Sequence, residues 1–215
     1  MNNKKVMVLD YSLGNLLSVK RALEMCDADV SICSKAHKIK SADYLVLPGV
    51  GNFGVAMTEL ENRGFIDALM QYSELERPLL GICLGMQMLF DSSEEQGFHK
   101  GLGIIPGEVK KIPKHNQNSI EHKIPHIGWI NLDNITIQMD NNISLLQNSD
   151  LGKYYYFVHS YQAHPMDSNH TQATISYNQL TITAMVQKDC IIGCQFHPEK
   201  SGKNGLELIE RFISF

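Results

Sequence analysis

Apolar runs of strand length alternate with helical patterns through the first ninety residues. "KVMVL" (5–9) predicts a buried strand, and "GNLLSVKRALEM" (14–25) sets Leu16, Val19 and Leu23 near one face of a helix. "ADVSI" (28–32) and "DYLVLPG" (43–49) predict the next strands. Helical patterns over 53–62 and 65–75 follow, then the strand "PLLGI" (78–82) and a helix from Leu84. This βαβ rhythm predicts an α/β fold, an open and mostly parallel sheet with helices on both faces. From about residue 100 the texture changes. "GLGIIPGEVKKI", "ITIQM", "KYYYFVHSY", "QATISY" and "LTITAMVQ" are short strand-like runs between Gly, Asn and Asp, and predict an antiparallel section joined to the parallel sheet. "IIGCQFH" (191–197) adds a buried strand and "NGLELIERFISF" (204–215) a closing helix; "HNQNSIEHK" (115–123) reads as a polar loop.

Composition adds boundaries to this pattern. The 215 residues, 43% apolar and 20% charged, predict a single domain over 1–215 that builds its core without metal or disulfide staples. A net charge of −4 with no long Lys/Arg cluster argues against nucleic acid or an anionic membrane as partner. The opening "MNNKKVMVLDYS" has too short an apolar run for a signal-peptide core, so a cytoplasmic protein is expected. The five cysteines (Cys26, Cys33, Cys83, Cys190, Cys194) are odd in number and form no C-x-x-C pair, which makes most of them small buried hydrophobes. No metal or other cofactor is expected. His122 and His126 stand four apart, but Pro125 breaks the helix that would align them.

One segment stands out chemically. Gly81-Ile82-Cys83-Leu84-Gly85 is G-x-C-x-G at the end of a buried strand and the start of a helix, the cysteine form of a nucleophile elbow. Small neighbours let the strained turn bring backbone close, and the N–H groups of a helix N-terminus favour a thiolate. The competing reading is a structural cysteine between packing glycines. A nucleophile needs a base and a group that orients it. "QFHPEKSG" supplies both: His197 ends a predicted strand, Glu199 follows two residues on, and Pro198 biases His197 toward extended geometry. The triad is then Cys83, His197 and Glu199. "LPGVGNFG" (47–54) ends another strand in a glycine turn. Its Gly49-Val50 peptide and the N–H of Leu84 are candidate oxyanion donors.

"GICLGMQMLF", "HPEKSG" and "PGVG" resemble the class I (triad) glutamine amidotransferases. Within that class the chain is similar, over nearly its whole length, to the glutaminase subunits of imidazole glycerol phosphate synthase. The resemblance implies that Cys83 forms a glutamyl thioester, that His197 is the base, and that Glu199 orients it. It implies glutamine contacts at Gly51, Gln87, Glu95, and at Ser160 and Tyr161 through their backbone. It further implies a heterodimer with a (β/α)₈ cyclase that takes up ammonia to act on the nucleotide PRFAR. Asn15, Trp129 and Lys200 match positions at that interface, and the Gly49-Val50 peptide would be misaligned until the partner binds its ligand. The chain departs from the pattern at Ser12, at Ile130 between Trp129 and Asn131, and at Gln162. Those departures leave open a paralogue feeding another synthase, such as one acting on surface-polysaccharide sugars. A silent regulatory subunit on the same fold, or the glutaminase of anthranilate or pyridoxal phosphate synthesis, are the other readings.

Overall fold

The computed structural model describes residues 4–116, 119–137 and 144–215. Strands β1 (Lys5–Leu9), β2 (Asp29–Cys33), β3 (Tyr44–Gly49) and β4 (Leu79–Cys83) are joined by helices α1 (Leu16–Met25), α2 (Phe53–Asn62) and α3 (Phe65–Ser73). Helix α4 (Leu84–Met88) follows β4 without a break. Then come β5 (Ser92–Ser93), β6 (His99–Lys100), β7 (Gly107–Lys111), β8 (His126–Asn131), β9 (Asn134–Ile135), β10 (Tyr154–His159) and β11 (Tyr161–Pro165). The chain closes through β12 (Thr171–Tyr177), β13 (Leu180–Lys188), β14 (Ile191–Cys194) and α5 (Gly202–Phe212).

The main sheet runs β2-β1-β3-β4-β14-β13-β12-β9. Its first five strands are parallel, and β13, β12 and β9 continue it antiparallel. Because side chains alternate across a strand, the sheet feeds two cores. Val8, Val46, Leu80, Ile82 and Ile192 pack with Val19 and Leu23 of α1 and Leu208 and Phe212 of α5. Leu45, Leu47, Leu79 and Ile191 pack with Phe53 and Leu60 of α2, Phe65 and Leu69 of α3, and Met86 and Met88 of α4. Helices therefore cover both faces, as the apolar runs predicted.

The antiparallel part differs from expectation in one instructive way. "KYYYFVHSY" is not one strand but two: β10 pairs with β8, while β11 pairs with β7 in a separate small sheet. The break falls at Ser160, whose carbonyl accepts from Ile112 N at 2.9 Å. "ITIQM" yields the short edge strand β9, and its Gln138 and Met139 lie outside the described residues, as do Gln117 and Asn118 of the polar loop. Among the described residues no helix is long and apolar enough to cross a membrane.

Candidate active site

Parallel strands deliver their chemistry at their carboxyl ends. The register pairs Gly49 with Cys83 and Ile82 with Cys194, so the glycine turn, the elbow cysteine and the approach to His197 converge at one edge. Cys83 sits at φ 54°, ψ −109°, a region that residues with a Cβ rarely adopt. The turn is closed by Gly85, where an added Cβ would lie 1.8 Å from the Leu47 carbonyl oxygen. Only glycine lets α4 approach β3 that closely.

His197 reaches the sulfur by a route the sequence did not suggest. Strand β14 ends at Cys194, not at His197, and the chain then hooks onto β10 through His197 N to Tyr156 O at 2.9 Å. Glu199 lies in a 3-10 turn over Pro198–Lys200, yet its Oε1 still accepts from His197 Nδ1 at 2.8 Å, with both side chains buried. That bond fixes the tautomer and leaves Nε2 as the reactive nitrogen. Nε2 is buried without a formed hydrogen bond, and the group it interacts with is Cys83. Such a contact is commonly loose before substrate arrives. Burial works against the imidazolium, but the interactions with Cys83 and Glu199 outweigh it and push His197 up to about 9.

A cavity of about 240 Å³ gathers Val50, Gly51, Cys83, Leu84, Gln87, Glu95, Ser160, Tyr161 and His197. Nearly every residue that the sequence singled out for the reaction is thus in one wall, with Gly49 beside Cys83 and Glu199 behind His197. Gln87 Nε2 donates to the Tyr161 carbonyl at 3.1 Å, and Glu95 Oε2 accepts from Phe53 N at 2.7 Å, at the N-terminus of α2. Pro125, Val158 and His159 also line the cavity. Sequence reasoning missed them as lining residues, although Val158 and His159 sit in "KYYYFVHSY" beside Ser160 and Tyr161, and Pro125 was considered only as a helix breaker. A larger cavity, about 560 Å³, lies between Lys111–Lys114 and Glu121–Ile124 and holds none of the triad.

Of the interface candidates, Trp129 is 54% exposed, which excludes a core role. Its ring meets Tyr156 edge-on at 5.9 Å, and Lys200 Nζ stands 6.0 Å from the centre of the Tyr156 ring. Asn15 stands apart from this cluster, at the start of α1, where its side chain makes no capping bond. Among the described residues there is no group of three or more His, Cys, Asp or Glu arranged to hold a metal ion.

His126 and His159 form a buried pair beside the cavity. His159 Nδ1 donates to the Tyr161 carbonyl at 2.8 Å, so its Nε2 accepts from His126 Nδ1 at 3.2 Å. Burial pushes His126 down to about 4 and His159 to about 3. The unfolded chain therefore takes up protons first, and the stability these neutral rings contribute above pH 6.5 is lost as pH falls from 6.5 toward 4. The expected slope is about 1.4 kcal/mol per pH unit for each ring. Urea unfolding at pH 7.5, 6 and 5 checks it: a His126→Asn variant, which keeps an N–H for His159, loses one ring's share of that slope.

Comparison with known proteins places the geometry in a family. Residues 7–214 match the model described as "Glutamine amidotransferase class-I". The chain is 45% identical over 208 residues to imidazole glycerol phosphate synthase subunit HisH 1 of Legionella pneumophila strain Lens, covering 97% of this chain and 98% of that one. It is 41% identical over 209 residues to subunit HisH of Prochlorococcus marinus subsp. pastoris, with 97% of each covered. Among solved structures, PurLQS of Thermotoga maritima superposes with a TM-score of 0.70 at 17% identity, over 99% of this chain and 98% of that one. A structure described as a glutamine amidotransferase superposes with a TM-score of 0.68 at 15% identity, over 98% of this chain and 99% of that one. The chain belongs to the class-I glutamine amidotransferase family, on its HisH branch.

Proposed function

We propose that the chain, a single glutaminase domain over 1–215, is the glutaminase subunit of imidazole glycerol phosphate synthase and works in the cytoplasm as a heterodimer with a (β/α)₈ cyclase. The observation that carries the reading is the enclosure of Cys83, His197 and the glycine turn by one cavity, with Glu199 locked on the far ring nitrogen. The Cys83 sulfur attacks the side-chain amide carbon of glutamine. Negative charge moves onto the carbonyl oxygen, where the N–H of Leu84 and that of Val50 receive it. The imidazolium of His197 gives its proton to the amide nitrogen, ammonia leaves, and a glutamyl thioester remains. His197, now neutral, takes a proton from water; the hydroxide attacks the thioester, the thiolate departs, and glutamate is released.

The wall has parts for holding the substrate. The carboxylate of Glu95 suits an α-ammonium group, and Gly51 and Gln87 flank the reacting amide. The Tyr161 carbonyl already accepts from both Gln87 and His159, so its share of binding falls to its N–H. Ammonia then passes to the cyclase, which converts PRFAR to imidazole glycerol phosphate and AICAR. Trp129 and Lys200, grouped on Tyr156 one strand away from His197, offer an aromatic and a cationic anchor for that partner.

Glutamate release from glutamine, measured for the chain alone and with a HisF cyclase plus its nucleotide ligand, tests the assignment. A low basal rate that rises by about two orders of magnitude or more only in the full mixture is expected, as for removal and restoration of an oxyanion donor. No rise with a cyclase that is active on free ammonia would assign the chain to another synthase or to a silent subunit.

A further inference from the structure

Gln195 has no part in the reaction written above, yet it touches the reacting atom. It is fully buried between the nucleophile and the glutamine wall. Its Nε2 stands 3.7 Å from Cys83 Sγ, and its Oε1 accepts from Gln87 Nε2 at 2.9 Å. The direction of these bonds is forced. The Tyr161 carbonyl can only accept, so Gln87 must turn its NH₂ toward it. The second hydrogen of that NH₂ meets Gln195, which must answer with its oxygen. The remaining end of the Gln195 amide, its NH₂, is then aimed at the sulfur. Reversing the Gln195 amide would set two NH₂ groups against each other and a carbonyl oxygen against a thiolate.

We propose that Gln195 is a further catalytic residue: its amide N–H holds the Cys83 sulfur in its anionic form while its carbonyl fixes Gln87 for substrate. This rests on the reading of Cys83 as nucleophile. A buried N–H···S⁻ contact is strongest when the sulfur carries charge, and is weakened when the sulfur is acylated. It therefore acts on the free enzyme and again when the thiolate leaves in thioester hydrolysis. No proton or bond is transferred to Gln195 in either step.

The test is the pH profile of Cys83 alkylation by iodoacetamide in the full chain, located by mass spectrometry, together with glutaminase kinetics in the assembled complex. The other thiols stay slow near neutrality where burial raises them: Cys194 bonds the Gly81 carbonyl at 3.8 Å and is pushed well up, and burial, then Glu210 and Asp27, push Cys26 up to about 11. Gln195→Met removes the N–H at similar volume, and Gln195→Glu keeps the oxygen that Gln87 needs. Both should alkylate about tenfold more slowly at pH 7, with the profile moved up by about one pH unit, and lose about tenfold in kcat. KM rises in the Met variant, which leaves Gln87 without its acceptor, more than in the Glu variant. Thermal unfolding is followed for both, and should the Met variant fail to fold, the Glu variant carries the test. Wild-type profiles and kcat in the folded variants overturn the role of Gln195 and leave Cys83 in place. An unmutated chain whose Cys83 stays unlabelled and whose glutaminase activity survives alkylation overturns the nucleophile, and this inference with it.

Discussion

Cys83→Ala is expected to abolish glutamine hydrolysis, by at least about four orders of magnitude in kcat, because the covalent route ends with the nucleophile. The informative companion is Cys83→Gly. The residue sits at φ 54°, ψ −109°, the conformation of the first central residue of a type II′ turn, where glycine is at ease and any Cβ is strained. Within a strand or helix, glycine costs about 0.5–1 kcal/mol relative to alanine. At position 83 the order reverses, and the Gly variant should exceed the Ala variant in unfolding free energy by about 1 kcal/mol or more. Both are inactive. Urea unfolding of the pair therefore measures the strain that the fold holds to expose the sulfur, independently of activity. A Gly variant less stable than the Ala variant would mean that the elbow is not strained, and retained ammonia release by either would remove Cys83 from the mechanism.

How far this site could be read from the chain depends on the range of the interaction involved. The elbow was legible because its determinants are contiguous: an apolar strand, two glycines around a cysteine, and helix formers after it. The bond from His197 to Glu199 was legible from their spacing, although the reason given was only half right. The strand stops at Cys194, and the two side chains meet through a turn in which His197 remains extended (φ −101°, ψ 95°) while Pro198 starts a 3-10 segment. The division of "KYYYFVHSY" at Ser160 left no local trace. It is imposed by two different partners, β8 and β7, and the hydrophobic pattern runs through the break unchanged. Gln195 was hidden for a related reason. It stands inside a motif already quoted, but its role depends on Gln87, 108 positions away, and on which end of an amide faces the sulfur. Trp129 shows the opposite case, since a lone Trp in an alternating strand is compatible with core or surface until Ile127 and Tyr154, on the same face of the β8–β10 pair, are seen to be exposed with it.

Gly85→Ala should be severely damaging for a single added methyl, its Cβ making the closest approach among the glycines. In a helix, alanine is ordinarily favoured over glycine, so propensity alone predicts a small gain. Here the new Cβ would lie 1.8 Å from the Leu47 carbonyl oxygen and 2.9 Å from its carbon, both backbone atoms of a central strand buried on either side. Neither can rotate away, so α4 must lift off β3 or the strand must yield, at a cost of about 3 kcal/mol or more. The displacement also reaches the chemistry. Leu84, the residue before, carries the N–H proposed above as an oxyanion donor, and Gly49, whose own added Cβ would lie 2.8 Å from Gly85 N, begins the glycine turn. A shift of about 1 Å between them would separate two donors that must converge on one oxygen, with a loss in kcat of about a hundredfold. Gly64→Ala is the control. Its φ is positive, 68°, unlike that of Gly85, but its Cβ would meet nothing within 4 Å, so it should cost only about 1 kcal/mol of backbone strain and leave turnover alone. Urea midpoints for the two variants, with glutaminase rates in the assembled complex, set steric exclusion at the elbow, where Gly85 is helical, beside the ordinary penalty of a left-handed residue at Gly64. Equal midpoints would mean that α4 does not rest on β3 as closely as the attacking geometry of Cys83 requires.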